Sequence, residues 1–360
     1  MRRIVPLLAC SLAAPMAHAA GPSVSDILVN SGIAVAGHVS GSYTASFNKG
    51  QTLSFRAFDA KSDSFDLNQA WLNVAYQPSD GFGGVVTAMA GTDASGVNGS
   101  YGVGSSDFSL VQGFLQYASG PFTVMAGRYV TLSGFEVIDD TANTNISRSL
   151  LFQNAEPLVH TGVRTATKLG SAATLYLGVN NSAVTGQAND VNKEKTAEAG
   201  FAFAPSSAVS IGVYDYYGID PQPAHKTNFL DFVATFQASS AIQLAVNADW
   251  ARYIGAGVTV AGVAGYFNVA WTDSFKTSLR AEYLKTTNYV VAADTSDNKS
   301  NLYEVTLTGD YAATKNFDLL AEFRIDSSNH EVFAFDDDVK KQQPDVAVKA
   351  IYKFGTPSGS

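Results

Sequence analysis

Residues 121–169 read PFTVMAGRYV, then TLSGFEVIDDTANTNISRSLLFQNAEP, then LVHTGVRTATKL, with changes of pattern after residues 130 and 157. The first and third parts are short alternating segments, which is typical of half-buried β-strands. The middle part, residues 131–157, is the longest connection that cannot form half of a tight hairpin. Loops of this length inside a compact domain are uncommon and usually functional. The sequence therefore predicts two strands joined by a functional loop.

Similar alternating segments follow one another at an even spacing, which is typical of an all-β barrel or sandwich. The segment 301–312, NLYEVTLTGDYA, places Tyr, Val and Leu on one face and Glu and Thr on the other. We count sixteen such segments, and an even number is what a bacterial outer-membrane barrel requires. They lie near 34–48, 66–77, 82–91, 107–118, 121–130, 158–169, 172–180, 195–204, 208–217, 227–238, 241–253, 258–271, 275–289, 301–312, 316–326 and 344–354.

The connections between these segments alternate between short and long. The long ones are 49–65, 92–106, 131–157, 181–194, 218–226, 290–300 and 327–343, and tight turns fall between them. A barrel with short periplasmic turns and longer outer loops shows this alternation, whereas a soluble sandwich has no reason to. The connection 254–257 is the exception, because it is short where a long one is expected. In this arrangement residues 131–157 form the third outer loop, which we predict folds into the lumen and narrows the pore.

Composition supports a wall that faces lipid. Charged residues make up 15% of the chain and hydrophobic ones 46%, with the apolar residues spread at every second position rather than in runs. After the first residues there is no apolar stretch near 18 residues, so no transmembrane helix is predicted. The fold class expected is therefore an all-β transmembrane antiparallel barrel of about sixteen strands.

The N-terminus has the features of a secretory signal peptide at residues 1–19, with Arg2 and Arg3 before an apolar run and a small-x-small site at Ala17–Ala19. A lipoprotein signal ending at Cys10 is the alternative, although its apolar run would be short. We expect a short periplasmic segment at 20–32, the barrel at 33–354 and a C-terminal tail at 355–360. Cys10 is the single cysteine, so the mature chain has no thiol chemistry or disulfide.

The net charge of the chain argues against nucleic acid as a partner. Without Arg2 and Arg3 the chain keeps 21 basic residues against 32 acidic ones, a net charge of about −11. An acidic chain without basic clusters is a poor ligand for nucleic acid.

The residues of the loop and its flanks resemble a known family. GFEVIDDTANTNISRSLLF with EPLVHTGVR, and FDLNQAWLNV at residues 65–74, are similar to the signature of the beta-barrel porin-2 (OmpL-like) outer-membrane proteins. The resemblance covers nearly the whole mature chain and implies a porin-like barrel, but little about the solute. The chain departs from the usual pattern of outer-membrane barrels in continuing beyond its last aromatic residue, Phe354.

Charged residues of the loop are the candidate site, because a charged ring at the narrowest point sets which ions pass a pore. We expect the loop carboxylates Glu136, Asp139 and Asp140 to line a constriction opposite the cationic residues Arg128, Arg164 and Lys168. The alternative is that these groups pair with wall charges only to hold the loop. Arg148 is expected to anchor to an inward-facing carboxylate. Lumen-facing charges of later strands should form ladders or, alternatively, a solute track; they are Arg280, Glu282, Glu304, Glu322 and Arg324.

The sequence thus predicts an outer-membrane channel for passive diffusion of small hydrophilic solutes or ions. The alternative is a closed or nearly closed barrel that binds a partner or maintains the envelope. No GxSxG motif or triad-like spacing indicates an enzyme, and neither a cofactor nor a metal site is predicted. The partners expected are outer-membrane lipid and the solutes, and assembly as a homotrimer is an expectation by analogy with sixteen-stranded porins.

Overall fold

The computed structural model describes residues 31–50, 52–100, 104–184, 193–221, 224–288, 299–336 and 338–356. The predicted signal peptide at 1–19, its lipoprotein alternative and most of the predicted 20–32 segment lie outside these residues. Sixteen strands form one closed antiparallel barrel, which confirms the predicted fold class. Among the described residues no helix is both long and apolar enough to span a bilayer.

The strands match the predicted segments closely, except that β9 and β10 extend through most of the connection predicted at 218–226. Their bounds are β1 Ala34–Ser46, β2 Ser64–Tyr76, β3 Gly81–Ala90, β4 Phe108–Ser119, β5 Phe122–Val130, β6 Val159–Leu169, β7 Ala173–Asn180, β8 Thr196–Ser206, β9 Val209–Pro221, β10 Ala224–Gln237, β11 Ile242–Tyr253, β12 Val258–Ala270, β13 Phe275–Thr287, β14 Lys299–Thr314, β15 Phe317–Ser328, β16 Phe333–Phe335, β17 Asp338–Lys340 and β18 Gln342–Gly355. The strands β16 and β17 pair only with each other, as a small hairpin within the predicted loop 327–343.

The barrel closes where its first and last strands meet. β1 pairs antiparallel with β18, from Ala36 opposite Gly355 to Ser46 opposite Asp345. The backbone of Thr356 continues the seam by donating to the Val35 carbonyl at 2.8 Å. The strand therefore runs one residue into the region predicted as a tail, because main-chain pairing with β1 does not stop at the last aromatic residue.

The two faces of the wall differ as predicted. In β14 the side chains of Tyr303, Val305 and Leu307 are exposed, whereas Glu304 and Thr306 between them are buried. Exposed large apolar residues recur in this way on the barrel strands. A soluble protein does not leave so much apolar surface in contiguous contact with water, so this face is the one that meets lipid. The polar face points to the interior of the closed barrel.

Helical elements occur in the long connections. They are α1 Thr92–Ser100, a short 3₁₀ helix at Asp140–Ala142, and α2 Leu150–Asn154. The connection 254–257 is short in the structure too, since β11 ends at Tyr253 and β12 begins at Val258. Two of these three helical elements therefore lie in the 131–157 segment.

Candidate functional site

Local sequence signals shape the 131–157 segment. Asp139 caps the 3₁₀ helix by accepting from the Thr141 backbone N–H at 2.8 Å, and Ser149 caps α2 by accepting from the Phe152 N–H at 3.0 Å. Gly134 has a φ of +90°, a region that other residues seldom adopt. The Glu156 carboxylate lies against its Cα, where a Cβ would collide with it. These features fold the segment into a compact unit rather than an extended loop.

The helix α2 packs in two directions. Leu150 and Leu151 are fully buried in a cluster with inward residues of β11 to β14, among them Ala251, Val260 and Leu302. Burying each leucine stabilises the packed state by about 1.5–3 kcal/mol.

The next residue of α2 faces other strands. Phe152 belongs to a second cluster with Trp71 of β2, Met89 of β3 and Val97 of α1. The helix thus contacts the buried faces of strands from both halves of the chain.

Two wall glutamates hold the segment by its backbone. Glu322 of β15 accepts from the N–H groups of Ile146 at 2.6 Å and Ser147 at 3.0 Å. Glu282 of β13 accepts in the same way from Leu150 at 2.5 Å and Leu151 at 3.0 Å. Each glutamate therefore satisfies two backbone donors that would otherwise be buried without a partner.

Two wall arginines complement these glutamates. Arg280 of β13 binds Glu136 at 2.6 Å, the Ser147 carbonyl at 2.8 Å and Glu304 at 2.9 Å. Arg324 of β15 donates to the Arg148 carbonyl at 2.6 Å and pairs with Asp326 at 2.7 Å. Both guanidinium groups are fully buried. The five charges predicted to face the lumen are therefore all on the buried face, and four of them, Arg280, Glu282, Glu322 and Arg324, bind the segment directly.

Asp140 ties the segment to the barrel seam. Its carboxylate accepts from Ser40 of β1 at 2.6 Å and Lys349 of β18 at 2.9 Å, and from Arg148 within the segment at 2.9 Å. Burial alone would raise the pKa of Asp140, but Lys349 and Arg148 together hold that pKa well below its usual range. Asp140 is therefore a charged, fully paired anchor.

Arg148 folds the segment onto itself. Its carboxylate partner is Asp140 of the same segment rather than a residue of a strand, and it also donates to the carbonyls of Val137 and Ile138 at 2.8 and 2.9 Å. The sequence interpretation places the partner of Arg148 on an inward face of the wall, whereas in the structure the partner lies close by in sequence, where a turn brings the two together.

Asp139 differs from these buried groups. Its side chain is 31% exposed, and His38 Nδ1 lies 3.6 Å from its Oδ1. The charges of Glu136, Asp140 and Arg148 are all matched inside the protein. Asp139 is thus the carboxylate of the segment that remains open to solvent.

The other predicted cations lie on the strands β5 and β6. Arg164 of β6 pairs with Glu198 of β8, which lies two strands away across β7, and stacks over Tyr129. Lys168 is exposed near the short turn at the far end of β6, about 26 Å along the strand from His160. Arg128 lies half-buried on β5, between Gly113 and Thr161 of the adjacent strands. The structure brings together the acidic half of the predicted constriction, whereas Arg164 pairs with a wall glutamate and Lys168 lies at the far end of its strand.

Sequence reasoning missed Gln69 as an anchor. Its amide nitrogen donates to Asp93 at 2.9 Å and to the Ile138 carbonyl at 2.8 Å. Its amide oxygen accepts from the Asp140 N–H at 3.2 Å and contacts His38 Nε2 at 2.9 Å. One β2 side chain therefore links β1, α1 and the segment. A single polar residue on an inward face gives no sequence signal for such a role.

A second loop, also missed, is held in a similar way. Arg56, in the connection between β1 and β2, is buried and binds Asp59, Asp326 and Asp345. Its aspartate partners lie on β15 and β18 as well as in its own loop. Charged residues of two long connections therefore bind the buried face of the wall.

Three carboxyl groups meet at the end of the segment. Asp231 of β10 lies directly opposite Asp249 of β11, and both accept from Asn247 Nδ2, at 3.1 and 3.2 Å. Glu156 is in hydrogen-bonding contact with Asp249. Burial, followed by Asp231 and Glu136, raises the pKa of Glu156 well above its ordinary value. Carboxyl groups packed like this are stable when they share protons.

A cavity of about 490 Å³ remains beside the segment. Its lining combines residues of β1, β2, β4 and β18 with Glu136–Asp139 of the segment. Polar groups at its wall include His38, Asn73 and Gln112, and Trp71 and Phe152 contribute apolar surface. The cavity is therefore bounded by the segment on one side and by the wall strands on the other.

Known structures share this architecture. The chain is similar to OprB of Pseudomonas putida, with a TM-score of 0.65, 11% identity, and coverage of 91% of this chain and 96% of that one. The outer membrane channel DcaP of Acinetobacter baumannii gives 0.62 at 12% identity, covering 89% and 97%. The trimer form of OmpT, an outer membrane protein of Vibrio cholerae, gives 0.58 at 11% identity, covering 89% and 99%.

Comparison with curated proteins found no match. The family model described as "Putative beta-barrel porin-2, OmpL-like" matches residues 32–354, nearly all of the barrel. The resemblance seen in the loop and in FDLNQAWLNV is confirmed, and the fold places the protein in the outer membrane as a multi-pass β-barrel. The chain belongs to the beta-barrel porin-2 (OmpL-like) family.

Proposed function

We propose that the protein is a passive diffusion channel for small hydrophilic solutes, with the 131–157 segment as its constriction. The observation that carries this proposal is the position of the segment's anchors. The segment leaves β5 and returns to β6, whereas its anchors lie on the buried faces of β1, β13, β15 and β18 on the other side of the closed strand order, which supports a course across the interior of the barrel. Sixteen strands leave a lumen wide enough for water, so such a segment sets the size limit.

The mechanism is steric and electrostatic filtering without a covalent step. Solutes would pass the space that the segment leaves open, of which the cavity beside Glu136–Asp139 is a part. A field lined by unmatched carboxylates concentrates cations. Among the charges predicted for the constriction, Asp139 is the one whose exposure supports this role, while Glu136, Asp140 and Arg148 support the alternative role of holding the loop.

Single-channel recording tests the proposal. The refolded mature protein in planar bilayers, under a salt gradient, should give discrete open steps and a reversal potential. A verifiably folded protein that stays silent in this assay would refute it.

A closed or nearly closed barrel is the second candidate, and the number of anchors on the segment favours it. Deleting Asp139–Arg148, with a short glycine linker, removes the 3₁₀ helix and the contacts to Lys349 and Glu322. If the wild-type protein is closed, conductance should rise from near zero. If it is a porin, an existing pore should become larger.

Assembly and processing complete the proposal. The signal peptide at 1–19 would be removed on export, which the mass of the protein purified from membranes would test. A homotrimer is proposed because OmpT, which shares the fold, has a trimer form. The outward side of β13–β15, β18 and β1 also carries an apolar groove, with Leu307, Leu319 and Phe323 in its wall.

A further inference from the structure

We propose that the cavity beside Asp139 is a binding subsite for small organic cations, with a primary ammonium group and a compact apolar body. This inference rests on the proposed channel function and names a solute class for it. It is argued from the free oxygen of Asp139, from the charge around the cavity and from the surface of its wall.

Asp139 has one oxygen engaged and one available. Its Oδ1 accepts from the Thr141 backbone N–H at 2.8 Å and from the Thr141 hydroxyl at 2.7 Å. The His38 Nδ1 contact at 3.6 Å is to the same oxygen. No described residue donates a hydrogen bond to Oδ2. The cap therefore fixes the orientation of the carboxylate and leaves an acceptor free for a ligand.

The His38 ring does not compete for this acceptor. Its Nε2 faces the Gln69 amide oxygen at 2.9 Å, and because that oxygen can only accept, the ring proton lies on Nε2. In the neutral ring Nδ1 is then itself an acceptor, which cannot donate to Asp139. The Asp139 carboxylate therefore lacks a hydrogen-bond donor on this side of the cavity. An ammonium group can supply one, because it carries three N–H donors.

The remaining charges of the cavity are matched. Glu136 pairs with Arg280 at 2.6 Å, and Lys353 pairs with Asp318 at 2.5 Å. The cavity wall is therefore negative by about the one carboxylate of Asp139 when His38 is neutral. An anion would meet this carboxylate without compensation, so the site favours cations.

The wall also suits an apolar body. Trp71, Phe152 and Leu158 line the cavity together with Val137, whose side chain is 40% exposed. The Asn73 amide oxygen accepts from the Thr87 hydroxyl at 2.7 Å. The Gln112 amide donates to that hydroxyl at 3.3 Å and accepts from the Val130 N–H at 3.2 Å. A fully hydrated inorganic ion would gain little from this surface. An alkyl or aryl ammonium would gain both the ion pair and the apolar contact.

Calorimetric titration of the folded protein in detergent tests this site, with benzylammonium, benzoate and benzyl alcohol as probes of the same size. Benzylammonium should bind saturably and more tightly than either of the others. Asp139→Asn, which keeps the helix cap, should weaken its binding about tenfold or more, as loss of a charge-assisted hydrogen bond implies. Asp139→Glu should retain binding, and Asp273→Asn, in a distant short turn, should not change it.

Equal binding of benzylammonium and benzoate, or unchanged affinity in Asp139→Asn, would overturn the proposal. If Asp139→Asn does not refold, the three probes on the wild-type protein decide the question alone. Block of the channel current by benzylammonium is measured in parallel. A conducting but unblocked and non-binding protein refutes the subsite only, whereas a folded protein that never conducts refutes the channel whatever the titration shows.

Discussion

Asp139 and Asp140 are neighbours in the sequence with opposite surroundings. The first is partly exposed and caps a 3₁₀ turn, and the second is buried between Lys349, Arg148 and Ser40. Their substitution should therefore separate selectivity from stability, although the sequence alone treats them as equivalent carboxylates.

Asp140→Asn should destabilise the protein by about 3–5 kcal/mol, because it leaves two buried cations without their carboxylate. The urea midpoint of unfolding from lipid vesicles measures the loss. Asp139→Asn is the matched control and should leave that midpoint nearly unchanged. Equal midpoints for the two variants would contradict the assignment of Asp140 as the anchor.

Asp139→Asn should instead shift the reversal potential in a salt gradient toward anions, since it removes the exposed carboxylate of the segment. Asp273→Asn removes an exposed carboxylate at the short-turn end and should leave the reversal potential unchanged. An unaltered reversal potential in Asp139→Asn would remove this residue from the conduction path.

At the scale of the element, α2 depends on shape complementarity with the wall. A Cβ added at Gly262 of β12 would lie 2.5 Å from the Tyr283 carbonyl oxygen and 2.8 Å from the Leu151 Cδ2, so the missing side chain makes room for both β13 and the leucine. Leu151→Ala should cost about 2–5 kcal/mol of packing and loosen the segment. Gly262→Ala should also loosen the segment, because the added methyl group would crowd the Leu151 side chain.

Both changes should increase channel noise and mean conductance in bilayer recordings. Val86→Ala, which shortens an exposed side chain on the outer face of β3, is the control. If neither variant changes the recordings while both remain folded, α2 does not restrict the pore.

The Glu156 end of the segment should respond to pH. Its pKa is raised from an ordinary value of 4.5 by burial and by neighbouring carboxylates. The folded state therefore keeps a proton that the unfolded chain releases, and its contribution to stability is complete below about pH 4.5 and is lost as the pH rises through the raised pKa.

The thermal midpoint should therefore fall as the pH rises above about 4.5, and less steeply in Glu156→Gln. Asp231 and Asp249 remain in that variant, so part of the dependence should persist. Glu331→Gln, which removes an exposed glutamate, should behave like the wild-type protein. Identical pH profiles for Glu156→Gln and wild type would show that Glu156 is not the titrating group.

The sequence predicted the strands better than the site, for a physical reason. Alternation is a local pattern that each strand shows by itself, so even β14 could be placed from its own residues. The pairing of Glu322 with two backbone N–H groups joins residues 176 and 175 positions apart, and no local pattern encodes it. The hairpin β16–β17 was missed because three-residue strands show too little alternation.

For the whole molecule, the apolar outer wall can face either lipid or a neighbouring subunit, and composition cannot separate the two. If β13–β15 form a subunit interface, Leu319→Arg should dissociate trimers to monomers. Val213→Arg, on the outer face of β9, introduces the same charge and a similar cost of about 2–4 kcal/mol toward lipid. It should leave the oligomer intact. The mass in mild detergent, by light scattering, measures both. Equal behaviour of the two variants would exclude this interface.

The anchors of Asp140 have a consequence for the order of assembly. Ser40 lies 100 positions before it and Lys349 lies 209 positions after it, and the two meet only where β1 pairs with β18. Contacts between such distant parts of a chain form late, after the loops between them have closed. The segment therefore cannot form all of its contacts with the wall until the last strand has paired with the first. Under the proposed function, the newly inserted barrel is widest at the moment its seam forms, and the filter is the last part of the channel to be built.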